Sequence, residues 1–183
     1  MKFLIASDIH GSALFCEQLL AVCKRENADR LLLLGDLLYH GPRNDLPGGY
    51  TPKCVIAMLN SIKNDLLCVR GNCDAEVDQM VLDFPIMADY CVIPSERGII
   101  FATHGHIYNP HKLPTLKSGD ILLYGHTHVP ECSRENGIMC LNPGSVSIPK
   151  GGSYHGYMTF DGTVFSWKDL DGVLHNSLNI NEI

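Results

Sequence analysis

No apolar stretch in this 183-residue chain approaches the length of a bilayer span. The run Leu31 to Leu34 is stopped by Gly35-Asp36, so no association with a membrane is expected. A basic surplus is also missing. Lys and Arg number 14 against 20 Asp and Glu, a net charge of −6, which gives no basis for a clear nucleic-acid surface. There are eight cysteines but no Cys-x-x-Cys pair, which argues against a zinc ribbon or a thioredoxin-type motif. Cys16, Cys23, Cys54, Cys68 and Cys91 lie in apolar runs, where cysteine acts as a small hydrophobe. The N-terminal segment MKFLIASDIHGS is too short in its apolar part to be an export signal, and the cytoplasm is the expected compartment. Internal repeats and low-complexity tracts are absent. With 45% hydrophobic and 19% charged residues the composition is globular, and one domain over residues 1–183 is expected.

What is present alternates between strand and helix in the first half. Phe3 to Ser7, Leu31 to Leu34 and Leu66 to Val69 read as buried strands. Ser12 is placed to cap a helix over residues 13–25, with Phe15, Leu19, Val22 and Cys23 on one face. Thr51-Pro52 begins a second helix with Val55, Met58, Leu59 and Ile62 as its stripe. Ile99 to Thr103 and Ile121 to Tyr124 are further strands. Asp161-Gly162 and Asp171-Gly172 mark antiparallel hairpins near the end of the chain. The pattern predicts an α/β chain whose late hairpins form a second sheet packed on the first. No chemistry is evident in those hairpins, and His155 and His175 are expected at the surface.

Five of the apolar strands end alike. They run into Asp8-Ile9-His10-Gly11, Gly35-Asp36, Arg70-Gly71-Asn72-Cys73-Asp74, Thr103-His104-Gly105-His106 and Gly125-His126-Thr127-His128. Each ending sets Asp, Asn or His beside a glycine. In open α/β sheets the carboxyl ends of strands line the ligand crevice, so one site built from five loops is expected. Asp8, His10, Asp36, Asn72, His104, His126 and His128 are oxygen and imidazole donors. They suit Mn²⁺, Zn²⁺, Fe or Co²⁺ better than a thiolate metal or an all-oxygen calcium site. Seven donors exceed what one ordinary transition ion takes and fit two. Asp36, in the middle of the set, is the candidate to bridge them.

The same blocks, in this order over residues 8–128, resemble the signature of the calcineurin-like metallophosphoesterases. Asn142-Pro143-Gly144-Ser145 is similar to the segment that follows the last ligand block in the family's small bacterial branch. With His40-Gly41-Pro42-Arg43-Asn44 and residues 142–152, the chain looks close to the YfcE-type phosphodiesterases of that branch. The resemblance implies a two-sheet β-sandwich flanked by helices (αββα). It implies one ion on Asp8, His10, Asp36 and His128, and a second on Asp36, Asn72, His104 and His126, with Mn²⁺ the expected metal. Two such ions share and activate a water that attacks phosphorus in line with the leaving oxygen. Two divalent ions, two carboxylates and one hydroxide leave a single positive charge, which matches a singly charged phosphodiester. The expected function is therefore metal-dependent hydrolysis of a small phosphodiester. Phosphomonoesterase or nucleotidase action on the same site, or a noncatalytic scaffold of the same fold, are the alternatives.

One position departs from the family pattern. Where a histidine commonly follows the Gly-Asn of the third block and helps protonate the leaving group, this chain has Cys73. Beside two cations a thiol tends to ionise, so Cys73 is expected to line the site and to be a poor general acid. Asp74 is expected either to orient His10 or to cap the following helix. His106 is expected beside the site without ligating. Arg43, in the Gly/Pro-rich loop of residues 40–50, is the candidate substrate contact. A homo-oligomer is compatible with the sequence, which carries no mark of one.

Overall fold

The structure is a computed structural model and describes residues 1–182. Strands β1 (Phe3–Ala6), β2 (Arg30–Leu33) and β3 (Leu66–Cys68) pair in parallel. Helices α1 (Ala13–Arg25) and α2 (Pro52–Ser61) make the crossovers between them. Ser12 caps α1 as expected, its Oγ accepting the N–H of Phe15 at 3.3 Å. Thr51 makes no such bond, and α2 starts on the preset backbone of Pro52 instead.

Alternation along the strands sorts the core into layers. Leu4, Ala6, Leu31 and Leu33 point toward α1 and α2 and pack with Leu19, Val22, Val55 and Leu59. Phe3, Ile5, Leu32 and Leu34 point the other way, onto Ile100, Ile121 and Leu123 of a second sheet. That sheet contains β4 (Tyr90–Pro94), β5 (Ile99–Thr103), β6 (Ile121–Leu123), β7 (Pro130–Glu135) and β8 (Ile138–Pro143), in the order β4-β5-β6-β8-β7.

The late hairpins depart from expectation. Strands β9 (Gly156–Phe160), β10 (Val164–Asp169) and β11 (Leu174–Asn179) are antiparallel neighbours joined at Asp161-Gly162 and Asp171-Gly172, as the turns predict. They extend the first sheet, however, rather than forming the second. Strand β2 covers only one edge of β1, and β9 takes the other, with Phe3 opposite Phe160 and Ile5 opposite Met158. The first sheet thus runs β11-β10-β9-β1-β2-β3. The two sheets form the expected sandwich. Its helices lie on the six-stranded sheet, with the short α3 (Glu76–Gln79) following β3. The outer face of the five-stranded sheet, with Phe101, Leu122 and Tyr124, is covered by Tyr108, Leu113 and Leu116 from the irregular segment between β5 and β6. Among the described residues no helix is long and apolar enough to cross a membrane.

Candidate metal centre

The parallel strands β1, β2 and β3 of one sheet and β5 and β6 of the other deliver their carboxyl-end loops to a common point. Asp8, His10, Asp36, His104 and His128 meet there, all buried. Nε2 of His128 and of His10 lie 3.3 and 3.5 Å from Asp8 Oδ1. Nε2 of His104 and of His10 lie 3.4 and 3.7 Å from Asp36 Oδ2. Asp8, His10 and His128 form one group of donor atoms mutually within 4.8 Å, and Asp8, Asp36 and His104 form another. Asn72 and His126 stand at the edge of this cluster. Asn72 Oδ1 is 3.1 Å from Nε2 of His104, and the His126 ring lies edge-on to His104 with centroids 5.1 Å apart.

The backbone at the site is unusual. Asp8, His10, Asp36, His126 and His128 all have φ between 49° and 67°, the left-handed region that non-glycine residues seldom occupy. Strain of this kind persists only where the surroundings impose it. The surroundings here are visible. The backbone N–H groups of Asp8 and His10 donate to the carbonyls of Gly35 and Asp36 at 3.1 and 2.9 Å, tying the first two loops together. Ser145 and Ser147 hydroxyls both donate to the Asp8 carbonyl, at 3.0 and 2.8 Å. Asn142 Nδ2 donates to the Gly125 carbonyl at 2.8 Å. The segment after the last histidine block therefore braces the loops of Asp8 and His126. Gly71 is required for a different reason: a Cβ there would overlap the Asp36 carboxylate.

Three of the histidines are aimed by carbonyls. Nδ1–H of His10 donates to Tyr39 O at 2.7 Å, that of His104 to Leu34 O at 2.6 Å and that of His128 to Ile148 O at 2.6 Å. A carbonyl only accepts, so Nδ1 of each carries a proton, and in the neutral ring the Nε2 lone pair faces the cluster. That is the tautomer a metal-ligating imidazole needs. Asp8 Oδ1 is buried without a hydrogen-bond partner, ringed by two of those Nε2 atoms. A buried carboxylate oxygen left open and ringed by imidazole nitrogens fits a cation.

Without a cation, the buried charges of the cluster act on one another. Burial opposes ionisation of Asp8, yet His10 and His128 hold its carboxyl well below the usual range. Burial opposes a proton on His104 as well, but Asp36 and Asp8 raise it to about 9. His126 is driven down to about 4 by burial and by the charge on His104. His106 is lowered by burial and by His104, and its ring centroid lies 5.4 Å from that of His104, beside the cluster as expected.

Cys73 lies at the cluster, its N–H donating to Asp36 Oδ1 at 2.8 Å and its thiol within reach of His10 and Asp36. In the protein alone, burial and the Asp36 carboxylate push that thiol strongly up. Asp74 neither touches His10 nor caps α3. Its carboxylate accepts the N–H groups of Asp36, Leu37 and Gly71 at 2.8, 2.9 and 2.7 Å. The reason is local: Tyr39 O already takes His10 Nδ1, and Asp78 accepts the N–H of Ala75 at the helix start. Arg43 lines the cleft above the donors, and so does Lys150, which sequence reasoning did not single out. The signal for Lys150 lay within residues 142–152, whose resemblance identified the segment but not this side chain. His155 is half-buried, stacked on Phe15 at 4.0 Å, and His175 is exposed beside Asp169. Neither joins the cluster.

Comparison with known proteins agrees with this geometry. Residues 1–163 match the calcineurin-like phosphoesterase superfamily domain. The chain is 48% identical over 166 residues to the phosphodiesterase YfcE of Escherichia coli K12, covering 91% of this chain and 90% of that protein. It is similar to the solved structure of the E. coli phosphoesterase YfcE with a TM-score of 0.95 and 46% identity, over 99% of this chain and 100% of the other. Vacuolar protein sorting 29 from Cryptosporidium parvum shares the fold at a TM-score of 0.61 and 20% identity, over 97% of each chain. The chain belongs to the calcineurin-like phosphoesterase superfamily.

Proposed function

We propose that this protein is a dinuclear metal-dependent phosphodiesterase that hydrolyses a small phosphodiester. The observation that carries the reading is the set of imidazole Nε2 atoms turned inward by backbone carbonyls onto two buried carboxylates, one of which has an unpartnered oxygen. The 48% identity to a protein named as a phosphodiesterase supports the substrate class. Asp8, His10, Asp36 and His128 would hold one ion, and Asp36, Asn72, His104 and His126 the other. Mn²⁺ is the proposed metal, as membership of the calcineurin-like family implies; the oxygen and imidazole donors accommodate it without selecting it over Zn²⁺, Fe or Co²⁺. When bound, the pair supplies an activated water and draws charge from the phosphoryl oxygens.

The protein's own groups do the rest. Asp36 presents one carboxylate to both halves of the cluster, and its orientation is fixed by the Cys73 N–H. The carbonyls of Tyr39, Leu34 and Ile148 keep the proton on Nδ1 of three histidines and so keep Nε2 available. The cleft is open to solvent on the side of Arg43 and Lys150, where the phosphodiester enters. Cys73 lines this opening, at the position where the family's common histidine would protonate a leaving oxygen. The eight cysteines, all unpaired, suit a reducing compartment, and the cytoplasm is part of the proposal.

The test is hydrolysis of bis(4-nitrophenyl) phosphate and of 4-nitrophenyl phosphate by chelator-treated protein, before and after Mn²⁺ is restored. Restored hydrolysis that favours the diester is expected. Faster hydrolysis of the monoester would favour a phosphomonoesterase, and no hydrolysis of either would return the protein to a scaffold role.

A further inference from the structure

We propose that Arg43 and Lys150 form an anion subsite beside the metal centre, so that the substrate is a phosphodiester carrying a second anionic group; this rests on the phosphodiesterase reading. The two cations come from different loops and line one cleft with Asp36, Asn72 and His128. Arg43 lies in the loop between β2 and α2, Lys150 in the loop between β8 and β9. Both are exposed, and among the described residues neither forms an ion pair with any carboxylate.

Both loops are anchored. The N–H of Lys150 donates to the carbonyl of His128 at 3.1 Å, and the Ser153 hydroxyl donates to the Lys150 carbonyl at 2.6 Å. Lys150 is thereby registered to a donor of the metal cluster. On the other side, Asn44 Nδ2 donates to the His40 carbonyl at 2.8 Å and closes the turn that carries Arg43. The backbone of both cations is therefore held in place before any ligand arrives, which reduces the ordering cost of binding.

Charge then argues for a second anion. Two divalent ions held by Asp8 and Asp36 with an activated water would retain one positive charge, which a singly charged diester would satisfy. Arg43 and Lys150 add two more at the mouth of the same cleft, and the diester leaves them uncompensated. A phosphomonoester group elsewhere on the substrate carries close to two negative charges at neutral pH and presents three acceptor oxygens to them.

The direct test is calorimetric binding of thymidine 3′,5′-bisphosphate and thymidine 5′-monophosphate to the Mn²⁺-loaded protein. The bisphosphate is expected to bind roughly tenfold tighter, as two exposed charge contacts would give. That preference is expected to fall below about twofold in the Arg43→Ala/Lys150→Ala double variant and to persist in Arg43→Lys and Lys150→Arg. It should also shrink between low and high salt, because both cations are exposed. Equal binding of the two nucleotides by the wild type would overturn the proposal, as would a preference that survives in the double variant. The kinetic counterpart compares the 4-nitrophenyl ester of thymidine 5′-phosphate with and without a 3′-phosphate. The ratio of their kcat/KM values should exceed about ten in the wild type and approach one in the double variant. Because both esters are read on the same protein, a general loss of folding cancels from the ratio. If bis(4-nitrophenyl) phosphate is not hydrolysed at all, the phosphodiesterase reading fails while the calorimetric result still decides the subsite.

Discussion

Asp74 and Asp36 are linked through the backbone: the buried Asp74 carboxylate accepts the Asp36 N–H at 2.8 Å. The same carboxylate holds the N–H groups of Leu37 and Gly71. It therefore fixes the loop that carries Asp36, the proposed shared donor, to the loop that carries Asn72. Burial and the nearby Asp36 charge push its pKa up, while the Leu37, Gly71 and Asp36 N–H groups oppose that. An amide in its place turns N–H groups toward N–H groups. Asp74→Asn is expected to weaken Mn²⁺ binding by about 10–100-fold, read by calorimetry on folded protein. Unchanged affinity would remove Asp74 from the positioning of the site.

Gly71 is expected to tolerate no side chain. A Cβ there meets the Asp36 carboxylate and the Asp36 backbone nitrogen, neither of which has room to move. Gly71→Ala should lower stability by about 2 kcal/mol or more. A melting temperature within about 2 °C of the wild type would show that the two loops can separate without cost.

Cys73→His is expected to raise hydrolysis of alkyl diesters more than that of aryl diesters. A nitrophenolate leaves without a proton, whereas an alkoxide needs one, and an imidazole supplies it better near neutral pH than a thiol that tends to ionise beside two cations. Steady-state rates on a matched alkyl and aryl pair decide the matter. Equal changes on both would mean that this position has no acid role.

Glu26, away from the site, gives a test of pH dependence. Burial opposes its ionisation, but Lys168, Lys2 and Tyr157 contacts at 2.7, 3.0 and 2.9 Å hold the folded carboxyl at about 2. A depressed folded value stabilises the protein above the unfolded value of about 4.3, and the contribution is lost as pH falls toward the folded value. The difference in melting temperature between wild type and Glu26→Gln should be full at neutral pH and close as pH falls from about 4.5 toward 2. A difference constant over that range would contradict the assignment.

Much of the site was legible because its donors follow a rule that local sequence obeys: short apolar strand, then a polar residue beside glycine. Asp8, Asp36 and His104 could be placed in one crevice without knowing which strands were neighbours, since parallel strands send their carboxyl ends the same way. Partners that depend on pairing were not legible. Nothing in residues 156–179 says that β9 will sit against β1, since an antiparallel hairpin can join either sheet. Strands β4 and β7 are the edges of the five-stranded sheet and carry no clear strand pattern: β4 is a short apolar run ending in Pro94, and β7 is mostly polar, with Glu131, Ser133, Arg134 and Glu135. The roles of Asp74, Ser145 and Lys150 were hidden for a similar reason. Each acts on a loop distant in sequence, through a backbone N–H or carbonyl that any residue type would supply.

In the proposed centre two cations share Asp36. The most direct measurement is the metal content of the protein after equilibration with Mn²⁺ and gel filtration, by mass spectrometry of the metal. Wild type and the His175→Ala control, whose residue lies outside the cluster, are expected to retain about two ions per chain, and Asp36→Asn fewer than one. A wild type that retains one ion or none, or an Asp36→Asn variant that retains both, would contradict the account.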